Sequence, residues 1–130
     1  MVPLAGSIFR KIIMANVNKV ILIGNLTRDF ELRYTPKGTA IADSALAVNR
    51  RYKLDSGEQK EEVTFIDFSF WGKAAETLAK HLRKGDPLYM EGHIKMESWD
   101  DKNTGQKRTK LKIIGEEFQF LGGPRHDGKD

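Results

Sequence analysis

Apolar and polar residues alternate with a period of two along most of this chain and switch to a helical period once. The first alternates point to strands, the second to one amphipathic helix. Val17 to Leu26 (VNKVILIGNL) opens the pattern with Val20 and Leu22 on one side and Ile21 and Ile23 on the other. A strand apolar on both sides is buried on both. One side is therefore expected to fill a barrel and the other to lie under a helix or a second subunit. Gly24-Asn25 marks an expected bend or bulge. Glu31 to Tyr34 is a short extended piece, ended by the turn signal Thr35-Pro36-Lys37-Gly38.

Ala40 to Tyr52 forms the second long strand, with Leu46 and Val48 on one face. Asp43 and Ser44 blur its alternation, and a twist or bulge is expected there. A hairpin through Asp55-Ser56-Gly57-Glu58 leads to a third strand, Glu62 to Trp71. Gly72 to Leu82 is the helix: Ala75, Leu78, Ala79 and Leu82 fall at i, i+3, i+4 and i+7. Lys80, His81, Arg83 and Lys84 crowd its C-terminal end, where the helix dipole favours cations. Gly85 reads as its cap and Pro87 as its stop. From Leu88 to Trp99, Leu88, Met90, Ile94 and Met96 alternate inward, against Tyr89, Glu91, His93, Lys95, Glu97 and Trp99 outward. Gly92 leaves room for a close neighbour or a bend. After the loop Asp100 to Gly105 comes the last strand region, Arg108 to Leu121. There Leu111 and Ile113 alternate with Lys110 and Lys112, and Gly115 is an expected interruption before Phe118 and Phe120. Strand, strand, strand, helix, strand, strand predicts an all-β fold: a five-stranded Greek-key barrel of the OB type, with one helix between strands 3 and 4.

Phe65 to Trp71 (FIDFSFW) carries two different faces. Ile66, Phe68 and Phe70 suit a core. Phe65, Asp67, Ser69 and Trp71 suit a wet surface on which flat rings stand, able to stack on nucleotide bases. Packing of Phe65 and Trp71 under a neighbouring loop is the structural alternative. Tyr52 and Trp99 occur in similar settings near strand ends or on polar strand faces. Cations lie close in sequence: Arg50, Arg51 and Lys53 at Tyr52, Lys73 at Trp71, and Lys95 at Trp99. Rings stack on any base, and cations neutralise phosphates and release counterions, so this interleaving points to a single-strand binder.

Composition sharpens the choice. A chain of 130 residues is one domain by length. Its net charge of +4 permits a polyanionic partner. No cysteine is present, which removes disulfides, thiolate nucleophiles and cysteine metal sites and fits a reducing compartment. No apolar run approaches the ~20 residues that cross a membrane, so no membrane partner is expected. Residues 1–14 (MVPLAGSIFRKIIM) read as a dispensable extension, with a short mitochondrial presequence disfavoured. Residues 15–121 read as the folded domain and 122–130 as a flexible polar tail.

Catalysis finds little support. His81, His93 and His126 are scattered over a helix end, a strand face and the tail, and no zinc spacing connects them. No glycine-rich stretch continues into a phosphate loop. The acidic pairs Glu61-Glu62, Asp100-Asp101 and Glu116-Glu117 point to opposite sides wherever the chain is extended, so neither pair member shares a proton or metal with the other. Asp67 lacks a visible catalytic partner. No enzyme, cofactor or metal is expected.

A resemblance then adds to these readings. Asn18-Lys19-Val20-Ile21-Leu22-Ile23-Gly24-Asn25-Leu26, Glu31-Leu32-Arg33-Tyr34, Phe70-Trp71-Gly72-Lys73-Ala74-Ala75-Glu76, Leu82-Arg83-Lys84-Gly85, Tyr89-Met90-Glu91-Gly92 and Phe120-Leu121-Gly122 occur in this order. Together they resemble the bacterial-type single-stranded DNA-binding proteins, from about Val17 to Gly123. The resemblance implies an OB-fold core, a homotetramer, and single-stranded DNA wrapped without sequence preference during replication, recombination and repair. It implies a cytoplasmic, nucleoid-associated protein. It also implies base stacking at Tyr52, Phe65, Trp71 and Trp99 and phosphate contacts at Lys19, Arg33, Lys53, Lys73 and Lys84. Arg50, Arg51 and Lys95 join that set from their place beside the aromatics. Tyr52 and Phe65 stand where relatives often carry tryptophan. The acidic tip that recruits replication and repair enzymes in the family has no counterpart at Gly128-Lys129-Asp130, and residues 1–14 are not a family feature. An OB-fold adaptor that mainly contacts proteins stays open; it would need little DNA affinity from the aromatics.

Overall fold

Period-two alternation fixes which side chains can face inward, and strand order then decides whose side chains meet. A computed structural model describes residues 15–122, so the expected 1–14 extension and the tail from 123 onward lie outside the described residues. The elements are β1 (Val20–Leu26), β2 (Glu31–Tyr34), β3 (Ala40–Lys53), β4 (Gln59–Trp71), α1 (Lys73–His81), β5 (Pro87–Asp100) and β6 (Lys107–Phe120). They form one sheet in the order β1-β5-β6-β4-β3-β2. β1 also pairs with β3 through Asn25–Ala47 and Leu26–Leu46, which closes the five long strands into a barrel. The neighbours run antiparallel except β4 and β6, which pair in parallel at Phe68–Ile113 and Ser69–Ile114. The expected five-stranded OB-type barrel, with one helix among the described residues, is thus the fold observed. The short extended piece is β2, an added edge strand that pairs with β3 from Glu31–Asp43 to Tyr34–Ala40.

Inside the barrel, Leu26, Leu46, Phe68, Phe70, Leu88 and Met90 are buried, and Ala75, Leu78 and Leu82 of the helical stripe close one end. Burying each large side chain contributes about 1.5–3 kcal/mol relative to leaving it exposed. Four rings form a chain of edge-on contacts: Phe30 to Phe68 at 5.8 Å, Phe68 to Phe70 at 5.9 Å, and Phe70 to Phe118 at 5.8 Å. Two glycines make this packing possible. A Cβ on Gly92 would lie 2.1 Å from the Ile114 carbonyl oxygen, and one on Gly115 would enter the Phe70 ring at 2.2 Å. Gly92 therefore serves a close neighbour, as its position in the strand suggested.

Several local expectations need correction. β3 pairs with β4 in an unbroken register from Ile41–Trp71 to Lys53–Gln59, so Asp43 and Ser44 sit on no bulge. Ser44 points inward and is satisfied by donating its hydroxyl to the Arg28 carbonyl at 2.8 Å. β6 continues through Gly115, but the register with β5 steps from Glu91–Glu117 to Gly92–Gly115, leaving Glu116 as the extra residue. Gly24 lies within a continuous β1. The helix ends at Leu82, whose extended backbone N–H still bonds Leu78, so Gly85 is not its cap. Gly85 instead takes φ 93° in the following turn and donates to the Leu26 carbonyl. Ile94 and Met96 keep the inward parity but are 42% and 62% exposed, because the β5–β6 hairpin runs on past the end of the core. The helix packs on β2, β3 and β4 and leaves the outer side of β1 uncovered, with Ile21 55% and Ile23 56% exposed.

Candidate nucleic-acid interface

Cross-strand partners in a sheet share a face, so the registers define the outer surface row by row. Arg33, Ile41 and Trp71 form one row across β2, β3 and β4. Glu31, Asp43 and Ser69 form the next, followed by Ala45 with Asp67 and Ala47 with Phe65. On β6, Ile114 lies beside Ser69, and Lys112, Lys110 and Arg108 continue the same side. β5 adds Lys95 opposite Lys112, Glu97 opposite Lys110, and Trp99 opposite Arg108. One continuous outer face thus holds three flat rings: Phe65 is 70% exposed, Trp71 48% and Trp99 48%. Among the described residues these rings stand exposed, with no loop packed over Phe65 or Trp71.

Between the rings lies a groove of about 210 Å³, lined in part by Arg28, Arg33, Lys110, Lys112, Asp43 and Asp67. Its polar groups are extensively paired. Arg33 Nε donates to Asp43 Oδ2 at 2.9 Å, and the Ser69 hydroxyl donates to Asp43 Oδ1. Lys112 Nζ is 3.7 Å from Asp43 and 3.5 Å from Glu97. Lys110 Nζ is 2.5 Å from Asp67 Oδ2, and Arg28 lies 3.8 Å from Asp67 Oδ1. Ser69 belongs to the outward set but is buried, because the Asp43 carboxylate and its cations lie over it. The surface around Asp67 and Ser69 is therefore less open than the bare alternation implies.

Asp43 feels opposing forces. Burial pushes its pKa up, but hydrogen bonds from Ser69 and Arg33 and the charges of Arg33 and Lys112 outweigh it, and the carboxyl is held below its ordinary value of 3.8. A carboxyl with a lowered folded value stabilises the fold fully above the ordinary value. That contribution disappears as pH falls through the folded value. Asp43→Asn is therefore expected to lower Tm at neutral pH and to flatten the loss of Tm between about pH 5 and pH 3. Parallel melting curves for the two proteins check this; an identical acid slope would count against the Asp43 cluster.

The remaining sequence-predicted residues divide clearly. Tyr52 pairs with Lys60, which puts it on the other side of the β3–β4 hairpin from Phe65. The Arg50 guanidinium lies 4.8 Å from the Tyr52 ring centroid. Arg50 is held by Glu62 at 3.3 Å and Arg51 by Glu61 at 3.6 Å, so the acidic pair does point to opposite sides. The hairpin is consequently less basic than Arg50, Arg51 and Lys53 alone suggest. Lys19 is tied to Glu91 at 2.9 Å beside β1. The hydrogen bond from Tyr89 and then that from Lys19 hold the Glu91 carboxyl below its ordinary range. Lys53, Lys73, Lys84 and Lys95 make no ion pair among the described residues. Lys73 opens α1 two residues after Trp71, and Lys84 lies in the turn after the helix. Sequence reasoning missed Arg28, Arg108, Lys110 and Lys112 as members of this face. The alternation of Lys110 and Lys112 was visible; their place beside β4 depends on the parallel β4–β6 pairing.

No group of three or more His, Asp or Glu that could hold a metal occurs among the described residues, nor is any helix there long and apolar enough to cross a membrane. Comparison with known proteins identifies relatives of this chain. Residues 17–121 match the Single-strand binding protein family. The chain is 51% identical to the single-stranded DNA-binding protein of Helicobacter hepaticus, over 80% of this chain and 61% of that one. It is 48% identical to that of Wolinella succinogenes, over 80% of this chain and 64% of the relative. The chain thus spans less than two thirds of the length of these relatives. Its fold superposes, with a TM-score of 0.73 and 32% identity, on a crystal structure of a deletion mutant of the single-stranded DNA binding protein from Thermus aquaticus, covering 82% of this chain and 51% of that one. With the family match running from β1 through β6, this chain belongs to the single-strand binding protein family.

Proposed function

We propose that residues 15–121 bind single-stranded DNA without sequence preference and protect it during replication, recombination and repair. The observation that carries this reading is the row of exposed rings, Phe65, Trp71 and Trp99, on one outer face interleaved with Arg33, Lys95, Arg108, Lys110 and Lys112. Bases stack on the rings at about 1–3 kcal/mol each, and the cations take the phosphates between them. Tyr52, with Arg50 against its ring, offers a further platform on the hairpin's other side, beside Arg51 and Lys53. Lys19, Lys73 and Lys84 extend the basic path. The work is binding, with no reaction to catalyse. Ile21 and Ile23, next to Tyr89 and its hydrogen bond to Glu91, form an uncovered apolar flank that supports a homo-oligomer, a tetramer in this reading. A cytoplasmic place beside the nucleoid goes with it.

Titration with oligo-dT tests the reading through the chain's two tryptophans, Trp71 and Trp99. Quenching that saturates at a definite oligonucleotide length, with little response to duplex DNA, is the expected result. The affinity should fall as salt rises, with log K changing by about −0.7 per log unit of salt for each phosphate neutralised. No quenching and no binding would reassign the aromatic face to protein contacts.

A further inference from the structure

The groove cations are occupied in the free protein, and this bears on how a nucleic acid enters. Lys110 and Lys112 stand two residues apart on one side of β6, about 6.7 Å along the strand. Each is thus placed to meet a separate phosphate of an extended strand. Both are already engaged by carboxylates: Lys110 by Asp67, and Lys112 by Glu97 and Asp43. Asp67 is the central case. It lies between Phe65 and Trp71 on the same side of β4, so a strand stacked on both rings passes over it. Asp43 is fastened to the fold by Ser69 and Arg33, whereas Asp67 is held through the two cations Lys110 and Arg28.

We propose that Asp67 is an internal counter-ion: it holds Lys110 and Arg28 in the free protein and gives them up to the phosphates of the bound strand. The inference rests on the single-strand-binding reading of this face and adds Arg28, Lys110 and Lys112 to the residues that contact the strand. The exchange is energetically accessible. A partly exposed ion pair is weak in water, weaker than a charge-assisted contact to phosphate. It also has a signature. A carboxylate set free recaptures a cation from solution and offsets part of the counterion release that phosphate binding produces. The groove should therefore show a weaker salt dependence than its cations would give alone.

The test is a set of labelled oligo-dT titrations at several salt concentrations with the wild-type chain, Asp67→Asn, Lys110→Ala and the double variant. Melting curves establish that each is folded, and Asp67→Ser replaces Asp67→Asn if the latter is not. Asp67→Asn is expected to bind about three- to tenfold more tightly at low salt, with a steeper salt slope by ~0.7. Lys110→Ala should bind more weakly, and in its background the gain from Asp67→Asn should shrink. If the wild-type chain binds and the folded Asp67 variants show the same affinity and slope, or bind more weakly, the counter-ion role is wrong and the single-strand-binding reading stands. An equal gain from Asp67→Asn with and without Lys110 would reduce Asp67 to general charge repulsion and overturn the pairing. If the wild-type chain itself fails to bind oligo-dT, both readings fall together.

Discussion

Gly115→Val is expected to destabilise the domain by about 3 kcal/mol or more, a large share of the ~5–15 kcal/mol that holds a domain of this size together. Even a bare Cβ at this position would sit 2.2 Å from Phe70 Cζ and 2.4 Å from both Cε atoms. The ring has little freedom to retreat. It is buried in the core, with Phe68 edge-on at 5.9 Å on one side and Phe118 at 5.8 Å on the other. Interiors packed this closely relax only in part when extra atoms are forced into them. Retreat by the backbone is also restricted, because Gly115 pairs with Gly92 at the register step of β6, and Gly92 is itself pressed against the Ile114 carbonyl. Denaturant titration of wild type, Gly115→Val and Gly115→Ala measures the effect. Shrinking the ring in a Phe70→Leu, Gly115→Ala double variant should recover part of the loss beyond additivity, because the two positions collide directly. A valine variant with a midpoint matching wild type would show that the β4–β6 contact is not as tight as described.

Much of the barrel can be read from alternation because the signal is local. Phe68 and Phe70 face the core, as the period in β4 requires, and Ala75, Leu78 and Leu82 fall on the buried stripe of α1. What alternation cannot reveal is set by contacts distant in sequence. Ser69 reads as a surface residue until Asp43, Arg33 and Lys112 are brought over it from β3, β2 and β6. Ile94 and Met96 read as core because parity gives the face but not where the core ends, and the hairpin continues beyond it. Tyr52 and Phe65 look equivalent from their neighbours in sequence, yet the uniform β3–β4 register assigns them to opposite sides of the hairpin. Charges behave similarly. Arg50 and Arg51 suggest a basic patch until Glu62 and Glu61 are seen opposite them. Lys110 and Lys112 gain their positions against Asp67 and Asp43 only from the parallel β4–β6 contact, which joins segments more than forty residues apart.

That same topology governs the largest expected effect on binding. Trp71 is on β4 and Trp99 on β5, with β6 between them, so the two rings have separate surroundings and should contribute independently. At about 1–3 kcal/mol for each stacked base, loss of both rings in Trp71→Ala, Trp99→Ala should cost ~2–6 kcal/mol, a fall in affinity of roughly thirtyfold to more than ten-thousandfold. The fold should survive, because both rings are about half exposed and neither belongs to the buried core. The double variant lacks tryptophan fluorescence, so anisotropy of a labelled oligo-dT supplies the affinity and a melting curve supplies the fold. Electrostatics should remain after the rings are gone: Arg33, Lys95, Arg108, Lys110 and Lys112 still line the face, so residual binding should keep a salt slope close to that of wild type. A folded double variant with wild-type affinity would place the strand elsewhere on the barrel. A variant that kept its affinity at low salt and lost it steeply as salt rose would mean that phosphate contacts dominate and the rings serve only to hold register.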